Sequence, residues 1–296
     1  MAEKSSNPFD VSNMLSELND LKETSNKFDL IDIIEIIRSN ESKIVTFTGA
    51  GISTSAGIPD FRSENGLYNI VKSKLNMPNP ELIFDISYFE IDPTMFCCIA
   101  KQFIQNDYYP TLTHCFLKLL HNKKLLLRNF TQNIDGLDSK VGIPDDINIE
   151  CHGHFKTGHC LSCEKLYSYE EMKSQLESND FIKCQAENCN GLVKPDIVLF
   201  GESLPKKVFE NLNKISKADL IIVMGSSLRV TPFNQFINLA RKETPLLVIN
   251  NEQPSGGILL SSKKYFLQLP CDDGIKKICD LLHWQSELEE IYSNFH

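Results

Sequence analysis

The segment from Thr48 to Arg62 combines glycines, hydroxyl side chains and a charged pair directly after an apolar stretch, Lys43 to Phe47. Glycines at Gly49 and Gly51 allow the backbone to approach a phosphate group without a Cβ in the way. A helix that begins here would direct free N–H groups and the positive end of its dipole toward the anion. The segment therefore predicts a binding site for a dinucleotide.

The glycine spacing differs from that of hydride-transfer enzymes. After Gly49 and Gly51 the next glycine is Gly57, and no acidic residue stands about twenty positions further on to hold a ribose. A standard nicotinamide dehydrogenase is therefore disfavoured. A tight turn between a strand and a helix would explain the glycines, but it would not explain the Pro59–Arg62 sequence that follows them.

Four cysteines in the middle of the chain have the spacing of a metal site. Cys160 and Cys163 form one pair, and Cys184 and Cys189 form a second pair after an interval of twenty residues. Two such pairs supply four thiolates to one tetrahedral Zn²⁺ ion and leave no position for water, so the predicted zinc is structural. The second spacer is longer than usual, and the alternative is a set of buried free thiols.

Composition limits the classes of function. The chain has 296 residues, 42% of them hydrophobic, and a formal net charge of −9. This acidic balance argues against a nucleic-acid-coating surface and suits a basic peptide partner, such as a lysine-rich tail.

No apolar run approaches the ~18 residues of a membrane span, and Met1 to Asp10 lacks the pattern of a secretion signal. The sequence predicts a soluble, unsecreted protein whose remaining thiols are reduced, with core thiols at Cys97, Cys98, Cys115 and Cys279.

The glycine-rich segment follows one of five stretches that have the composition of buried strands. The predicted strands are Lys43–Phe47, Leu125–Phe130, Leu220–Met224, Leu246–Ile249 and Tyr265–Leu269. Predicted helices separate them, at Leu30–Arg38, Pro205–Ile215, Pro232–Arg241 and Gly274–Leu288. This order predicts an α/β fold with a doubly wound, mostly parallel, Rossmann-like sheet and a smaller zinc-ribbon and helical insertion module. Loops that follow the strands should meet at one crevice, where such sheets bind ligands.

The same reading divides the chain into segments. Residues 1–29 form an N-terminal extension, in which Val11, Met14, Leu15, Leu18 and Leu21 recur at helical spacing. Such a helix covers a core face, binds a partner or serves as an export signal. Residues 30–285 form the core of the chain, with Rossmann-like parts at 30–62, 121–153 and 193–285, a helical insertion at 63–120 and a zinc module at 154–192. Residues 286–296 form a C-terminal tail.

Six motifs in one order carry a resemblance to a known family: Gly49–Arg62, Thr131–Asp135, Cys151–Gly153, the four cysteines, Val193–Glu202 and Gly225–Leu228. Together they resemble the sirtuins, NAD-dependent protein-lysine deacylases, and the motif sequences are closest to those of the sirtuin-2-like branch. The resemblance covers about residues 40 to 275. It implies NAD as co-substrate, one structural Zn²⁺, acyl-lysine proteins such as histone-like or tubulin-like substrates, no direct nucleic-acid or membrane partner, and a cytoplasmic or nuclear location.

The resemblance also assigns roles to residues. It implies that the acyl group passes to ADP-ribose with release of nicotinamide and O-acyl-ADP-ribose, with His152 as the general base against the NAD ribose. Asn133 and Asp135 would orient a ribose hydroxyl and the nicotinamide carboxamide. The implied NAD-binding residues are Gly49, Ala50, Gly51, Ile52, Ser53, Thr54, Ile58, Asp60, Phe61, Arg62, Gln132, Asn133, Ile134, Asp135, Gly225, Ser226, Ser227, Asn250, Asn251, Glu252 and Cys271.

The segment Val198, Leu199, Phe200, Gly201 and Glu202 is implied to pair in extended form with the backbone of the substrate peptide. The alternative is a strand that simply enters the sheet. Family members that remove acidic acyl groups carry a tyrosine–arginine pair after the Asp-Phe-Arg motif. Here Tyr68 has no such partner, because no arginine occurs between Arg62 and Arg128. Neutral acyl groups are therefore predicted.

One departure keeps other functions open. The family commonly has a small hydroxyl residue two positions after the catalytic histidine, whereas this chain has His154. A second enzymatic hypothesis is mono-ADP-ribosyl transfer to protein, which uses the same electrophilic carbon of NAD with a different acceptor. A third hypothesis is a non-catalytic, NAD-binding zinc scaffold.

Overall fold

A parallel sheet of six strands organises the larger part of the protein. The computed structural model describes residues 28–39, 41–75, 78–254 and 261–296. The helix predicted around Val11–Leu21 lies outside the described residues. The strands of the large sheet stand in the order β3-β2-β1-β7-β8-β9, and their bounds are β1 Ile44–Thr48, β2 Leu126–Thr131, β3 Asn148–Glu150, β7 Leu220–Met224, β8 Leu246–Asn250 and β9 Lys264–Gln268. The predicted Rossmann-like fold is confirmed.

The central strands are buried on both faces. Every residue of β1 and of β7 is buried. Because successive side chains of a strand point to opposite faces, alternate residues enter two different cores. Ile44 and Ile222 belong to the core on one face, whereas Phe47 and Val223 belong to the core on the other. This double burial explains why the strands appear in the sequence as continuous apolar runs. The short strand β3 was not predicted.

Helices cover both faces of the large sheet. The first face is covered by α1 (Leu30–Arg38), α5 (Leu112–Asn122), α10 (Cys271–Leu282) and α11 (Gln285–Ser293). On the second face lie α8 (Lys206–Asn211), α9 (Phe233–Phe236) and the 3₁₀ turns Leu212–Lys217 and Ile237–Leu239. Helix α11 crosses the boundary placed at residue 286, and its buried Leu288 belongs to the first core.

A smaller module stands beside the sheet. It contains a three-stranded sheet in the order β5-β4-β6, with strands β4 Gly153–Cys160, β5 Leu166–Ser168 and β6 Val193–Ile197. Its helices are α2 Leu67–Leu75, α3 Ile86–Ile91, α4 Thr94–Gln105 and α7 Tyr169–Ser178, with a 3₁₀ turn at Pro80–Phe84. Phe89 of the helical stretch and Tyr167 of the cysteine-rich stretch are fully buried in one common core. The two predicted insertions therefore fold as one module.

Strand order determines where the loops of the large sheet lie. Strands β2, β1, β7 and β8 are adjacent and parallel. Their carboxyl ends therefore lie side by side at one edge, and the loops that follow them face the smaller module. Helix α6 (Leu137–Lys140) begins shortly after β2 at this edge. None of the helices in the described part of the chain has the length and apolar content that crossing a bilayer requires.

Candidate active site

A cavity of about 620 Å³ opens at the carboxyl edge of the large sheet, between the sheet and the smaller module. This size lies within the range of small-molecule binding sites. Most of the predicted site residues line it: Ala50, Gly51, Thr54, Asp60, Phe61, Arg62, Gln132, Asn133, Ile134, His152, Val198, Leu199, Phe200, Gly201, Glu202, Gly225, Ser226, Ser227, Asn250, Asn251 and Glu252. The loops after β1, β2, β7 and β8 therefore meet at one cavity, as the sequence predicted.

Six predicted residues do not line this cavity: Gly49, Ile52, Ser53, Ile58, Asp135 and Cys271. Ile52 and Cys271 are buried in the core of the large sheet, and the Cys271 thiol donates to the carbonyl oxygen of Ile249 at 3.7 Å. Ser53 and Asp135 bond to each other, with Ser53 Oγ donating to Asp135 Oδ2 at 2.7 Å. Ile52, Ser53, Asp135 and Cys271 therefore contact other parts of the protein rather than the cavity.

Other residues line the cavity although the sequence reading did not assign them to the site: Ser63, Tyr68, Phe84, Ile197, Ser203, Leu204, Phe209, Arg229, Val230, Thr231 and Pro232. Most follow predicted motifs directly along the chain, so longer motif boundaries would have found them. Phe84 is different. It lies in the helical stretch, far from any motif, and no local pattern distinguishes it from an ordinary core aromatic residue.

The glycines at the edge of the sheet bring two loops into backbone contact. Gly51 N–H donates to the carbonyl oxygen of Gly225 at 2.9 Å. A Cβ at Gly51 would lie 2.7 Å from the Cα of Gly225, which itself has a φ of +61°. Side chains on either loop would force the loops apart. The glycines therefore serve loop packing as well as the approach of a phosphate, which was the reason inferred from the sequence.

Hydrogen bonds connect the loops that line the cavity. Asn133 Nδ2 donates to the carbonyl oxygen of Gly49 and to Ser53 Oγ, each at 3.2 Å. Ser226 Oγ donates to Gln132 Oε1 at 2.6 Å and accepts from Leu228 N–H at 3.2 Å. These bonds tie the loop after β2 to the loops after β1 and β7. The cavity wall is therefore fixed before any ligand binds.

His152 lies directly before β4 and lines the cavity. Its Nδ1 is 3.1 Å from the carbonyl oxygen of Gln132. Because a carbonyl oxygen can only accept, Nδ1 carries the hydrogen and Nε2 keeps a lone pair. Burial lowers the pKa of His152 below its usual 6.5, although the hydrogen bond to Gln132 acts in the opposite direction. The imidazole is therefore neutral near pH 7 and able to accept a proton.

The Asp-Phe-Arg motif forms the outer wall of the cavity. Asp60 Oδ1 accepts from the backbone N–H groups of Arg62 at 3.1 Å and Ser63 at 2.8 Å, which fixes the turn. The Phe61 ring contacts Tyr68 and Phe84, with both centroid distances at 5.6 Å. The wall that results is aromatic. It is suited to flat or apolar groups rather than to a carboxylate.

The segment Val198–Glu202 is anchored at both ends. Val198 N–H donates to the carbonyl oxygen of His152 at 2.9 Å, and Phe200 exchanges backbone hydrogen bonds with Phe84 and Ile86. The segment was predicted to be extended throughout. Strand β6 instead ends at Ile197, and the bond from Glu202 N–H to the Leu199 carbonyl oxygen (3.0 Å) closes a turn. Gly201 permits this turn, because its φ is +95°.

The four predicted cysteines form one cluster. Their Sγ atoms all lie within 4.8 Å of one another, with Cys160 and Cys189 at 3.7 Å and Cys163 and Cys184 at 3.6 Å. Tetrahedral coordination of zinc places two sulfur ligands about 3.8 Å apart, so the cluster fits Zn²⁺. The Tyr167 hydroxyl donates to Cys184 Sγ at 3.2 Å, and this bond, together with the Ala186 N–H and the neighbouring thiols, lowers the pKa of Cys184. This favours the thiolate that zinc requires.

We expect that Cys184→Ala abolishes zinc retention and lowers the thermal midpoint of unfolding. Cys160 and Cys184 belong to the core of the smaller module, so loss of the ion removes a crosslink at that core. Metal analysis of the purified protein and a thermal scan measure the two effects. The control is Cys98→Ala. The prediction that Cys98 is a core thiol was wrong, because it is exposed, and it lies outside the cluster. Stoichiometric zinc in the Cys184 variant would contradict the assignment.

Comparisons with known proteins agree with this geometry. The sequence profile of the Sir2 family matches residues 49–232. The chain is 41% identical over 288 residues to the NAD-dependent protein deacetylase sirtuin-2 of Danio rerio, covering 90% of this chain and 75% of the relative. It is 39% identical over 268 residues to the NAD-dependent protein deacetylase sirtuin-3 of Mus musculus, covering 90% and 79%. For the NAD-dependent protein deacetylase hst2 of Schizosaccharomyces pombe, the identity is 38% over 276 residues, covering 92% and 82%.

A Rossmann-like sheet with a cavity at its carboxyl edge, and a four-cysteine cluster beside it, defines the class of nucleotide-using α/β enzymes with a structural metal. Within that class, the chain belongs to the Sir2 family. The resemblance drawn from its motifs is therefore confirmed.

Proposed function

We propose that His152 is the general base of this chain, which is an NAD-dependent protein deacetylase by its family. The observation that carries the proposal is the orientation of the imidazole. Nδ1 is held by the Gln132 carbonyl oxygen in the loop after β2, and the ring lines the cavity. Nε2 is left to take a proton from a hydroxyl group of the bound co-substrate.

The loops around His152 would hold NAD. When bound, NAD supplies the electrophilic ribose carbon and nicotinamide as the leaving group. Asn133 lies in the cavity wall, and both of its Nδ2 hydrogens are donated to protein acceptors. Its Oδ1 makes no hydrogen bond with the described residues, so we assign Oδ1 to a ribose hydroxyl. Asn250 and Glu252 provide polar groups at the far end of the cavity, which suit a second ribose.

We assign Asp135 a positioning role. The resemblance implied that it contacts the nicotinamide carboxamide, yet Asp135 Oδ2 accepts from Ser53 and Oδ1 accepts from Leu137 N–H at 2.9 Å. Both oxygens therefore face protein donors. Through these two bonds the carboxylate fixes Ser53 in the loop after β1 and the start of α6. Ile134 lines the cavity, so it would contact the nicotinamide ring through its apolar side chain.

The peptide substrate would lie across Val198–Glu202, opposite Ser227. A partly buried ion pair supports this segment: Lys194 Nζ lies 3.1 Å from Glu202 Oε2, and Glu202 Oε2 accepts from Leu199 N–H at 2.8 Å. Phe200 is 43% exposed at the cavity and offers an apolar surface to the stem of an acyl-lysine side chain. Most backbone groups of Val198, Leu199 and Phe200 already bond within the protein, so pairing with a peptide backbone would fall to Gly201, whose N–H and carbonyl groups bond to none of the described residues. Such pairing depends little on the sequence of the peptide.

An assay of nicotinamide release tests the function. With an acetyl-lysine peptide, the protein should release nicotinamide and deacetylate the peptide only when NAD is supplied. Radiolabelled NAD separates the alternatives. Label on the protein acceptor would support mono-ADP-ribosyl transfer, and NAD binding without nicotinamide release would support a non-catalytic scaffold. Deacetylation without NAD would refute the proposed reaction.

The pH dependence should reflect the lowered pKa of His152. The base must be neutral, so kcat/KM falls as pH decreases through its folded-state pKa, and burial places this limb below pH 6.5. Initial rates measured from pH 5 to pH 8, with NAD varied and the peptide saturating, would locate the acidic limb of the kcat/KM profile. His159→Ala is the control, because this exposed imidazole bonds to Asp196 outside the cavity. An acidic limb at or above pH 6.5 would contradict the role of burial.

We expect neutral acyl groups to be removed faster than acidic ones. The wall formed by Phe61, Tyr68 and Phe84 offers no bidentate partner to a carboxylate, so a succinyl group would be desolvated without compensation. The kcat/KM for an acetyl peptide should exceed that for a matched succinyl peptide by about tenfold or more. Equal values would show that Arg62, which lies over the Tyr68 ring at 5.4 Å, turns to bind the carboxylate.

A further inference from the structure

One carboxylate joins the loop after β1 to two helices of the large sheet. Asp272 lies in the first turn of α10. Its Oδ1 accepts from Thr113 N–H at 2.9 Å and from Thr113 Oγ1 at 2.6 Å. Its Oδ2 accepts from Ser55 Oγ at 2.6 Å. Ser55 and Thr113, which precede Asp272 by 217 and 159 positions, thus share one acceptor group.

Ser55 connects this carboxylate to the cavity. It lies in the 3₁₀ turn Thr54–Ala56. Among the described residues, Thr54 lines the cavity and Ser55 does not. Asp272 therefore contacts the turn on the side away from the cavity. A single 3₁₀ turn has few hydrogen bonds of its own, so its orientation depends on groups that hold it from elsewhere.

The charge of Asp272 is well placed to act as a fixed acceptor. The carboxylate stands at the amino-terminal end of its own helix α10, and Thr113 belongs to the first turn of α5. Free N–H groups and the positive dipole ends of both helices converge there, which stabilises the negative charge. The same end of α5 provides a second connection to the loop, since Thr111 Oγ1 donates to the Ile52 carbonyl oxygen at 2.8 Å.

We propose that Asp272 is a positioning residue for NAD binding, acting through Ser55 on the turn Thr54–Ala56. The inference rests on the proposed binding of NAD by the loop after β1. Without the carboxylate the helices α5 and α10 still pack through their apolar faces, whereas the turn loses its outer support. The consequence should be weaker NAD binding, with little change in binding of the acyl peptide or in turnover once NAD is saturating.

The test compares Asp272→Ala, Ser55→Ala and the double variant with the wild-type protein. Loss of a hydrogen bond to a charged group should raise the KM and Kd for NAD by about tenfold in Asp272→Ala, with a smaller rise in Ser55→Ala. The double variant should match Asp272→Ala, because both changes remove the same bond. Asp273→Ala is the matched control, since Asp273 is exposed on the same turn and lies 3.9 Å from Lys276.

Calorimetry with NAD and steady-state kinetics with both substrates distinguish the outcomes. An NAD Kd within about twofold of wild type in both single variants would overturn the proposal. A parallel change in the KM for NAD, the KM for peptide and kcat would also overturn it, because that pattern indicates general destabilisation. If Asp272→Ala does not fold, the selective effect of Ser55→Ala decides. A wild-type protein that binds NAD but releases no nicotinamide would refute the proposed function. The positioning role of Asp272 would then be tested by the Kd values for NAD alone.

Discussion

His152→Ala should lower kcat by about 10²–10⁴-fold, the usual contribution of a general base. The imidazole is neutral, its Nδ1 is engaged by Gln132, and no other described imidazole lines the cavity to replace it. The measurement is nicotinamide release at saturating NAD and acetyl-lysine peptide. This is the largest kinetic effect that we expect from a single side chain, because it removes the proposed proton acceptor while the loops that line the cavity stay in place.

Two controls keep this result interpretable. The thermal midpoint of His152→Ala should stay close to that of the wild type, since the ring is half-buried and its ring-to-ring contact is with Phe233 at 6.1 Å. The NAD affinity should also persist. Turnover within about tenfold of wild type would show that another group takes the proton, and loss of NAD binding would show that the histidine holds the co-substrate instead.

Gly153→Ala should destabilise the protein far more than a glycine substitution at a similar backbone angle. Gly153 has a φ of +77°, and a Cβ there would lie 1.9 Å from the carbonyl oxygen of Asp196. Gly136 has a φ of +76°, but no atom lies within 4 Å of its added Cβ. Both variants incur the left-handed backbone penalty of about 1 kcal/mol. Gly153→Ala must also separate β4 from β6, so we expect a further loss of about 3 kcal/mol.

Denaturant unfolding of the two glycine variants measures this difference. If Gly153→Ala is recovered folded, its activity should also fall, because β6 leads into Val198, whose N–H bonds to the His152 carbonyl oxygen. Equal free energies of unfolding for the two variants would contradict the steric account. The comparison therefore tests whether the glycine of the His-Gly motif is required for the close approach of two strands rather than for its backbone angle.

Much of the architecture could be inferred from local patterns. The five predicted strands occur within one residue of their observed bounds. Double burial gives β7 and β8 continuous apolar runs, whereas β2 and β9 are only partly buried. The four cysteines were found by spacing alone, since each pair spans a short knuckle. Three predicted helices were wrong in their continuity. Pro205–Ile215 is divided into α8 and a 3₁₀ turn, Pro232–Arg241 into α9 and a 3₁₀ turn that ends at Leu239, and Gly274–Leu288 into α10 and α11.

Relations between distant segments were not visible in this way. Phe84 reaches the cavity because the helical and cysteine-rich stretches share one core, and Asp135 turns toward Ser53 rather than into the cavity. Local periodicity reports which side of an element is buried, but it does not report which distant side chain will meet it there.

The amino-acid order was sufficient to predict a parallel α/β sheet, a cluster of four thiols that fits a metal and a set of strand-end loops that line one cavity, because each depends on spacing over a few residues. Packing alone established that Gly51 fits against Gly225, that Cys271 bonds to Ile249 and that Asp272 supports Ser55. Those contacts join groups that are far apart along the chain. Their geometry depends on how whole helices and strands stack, which no short stretch of sequence encodes.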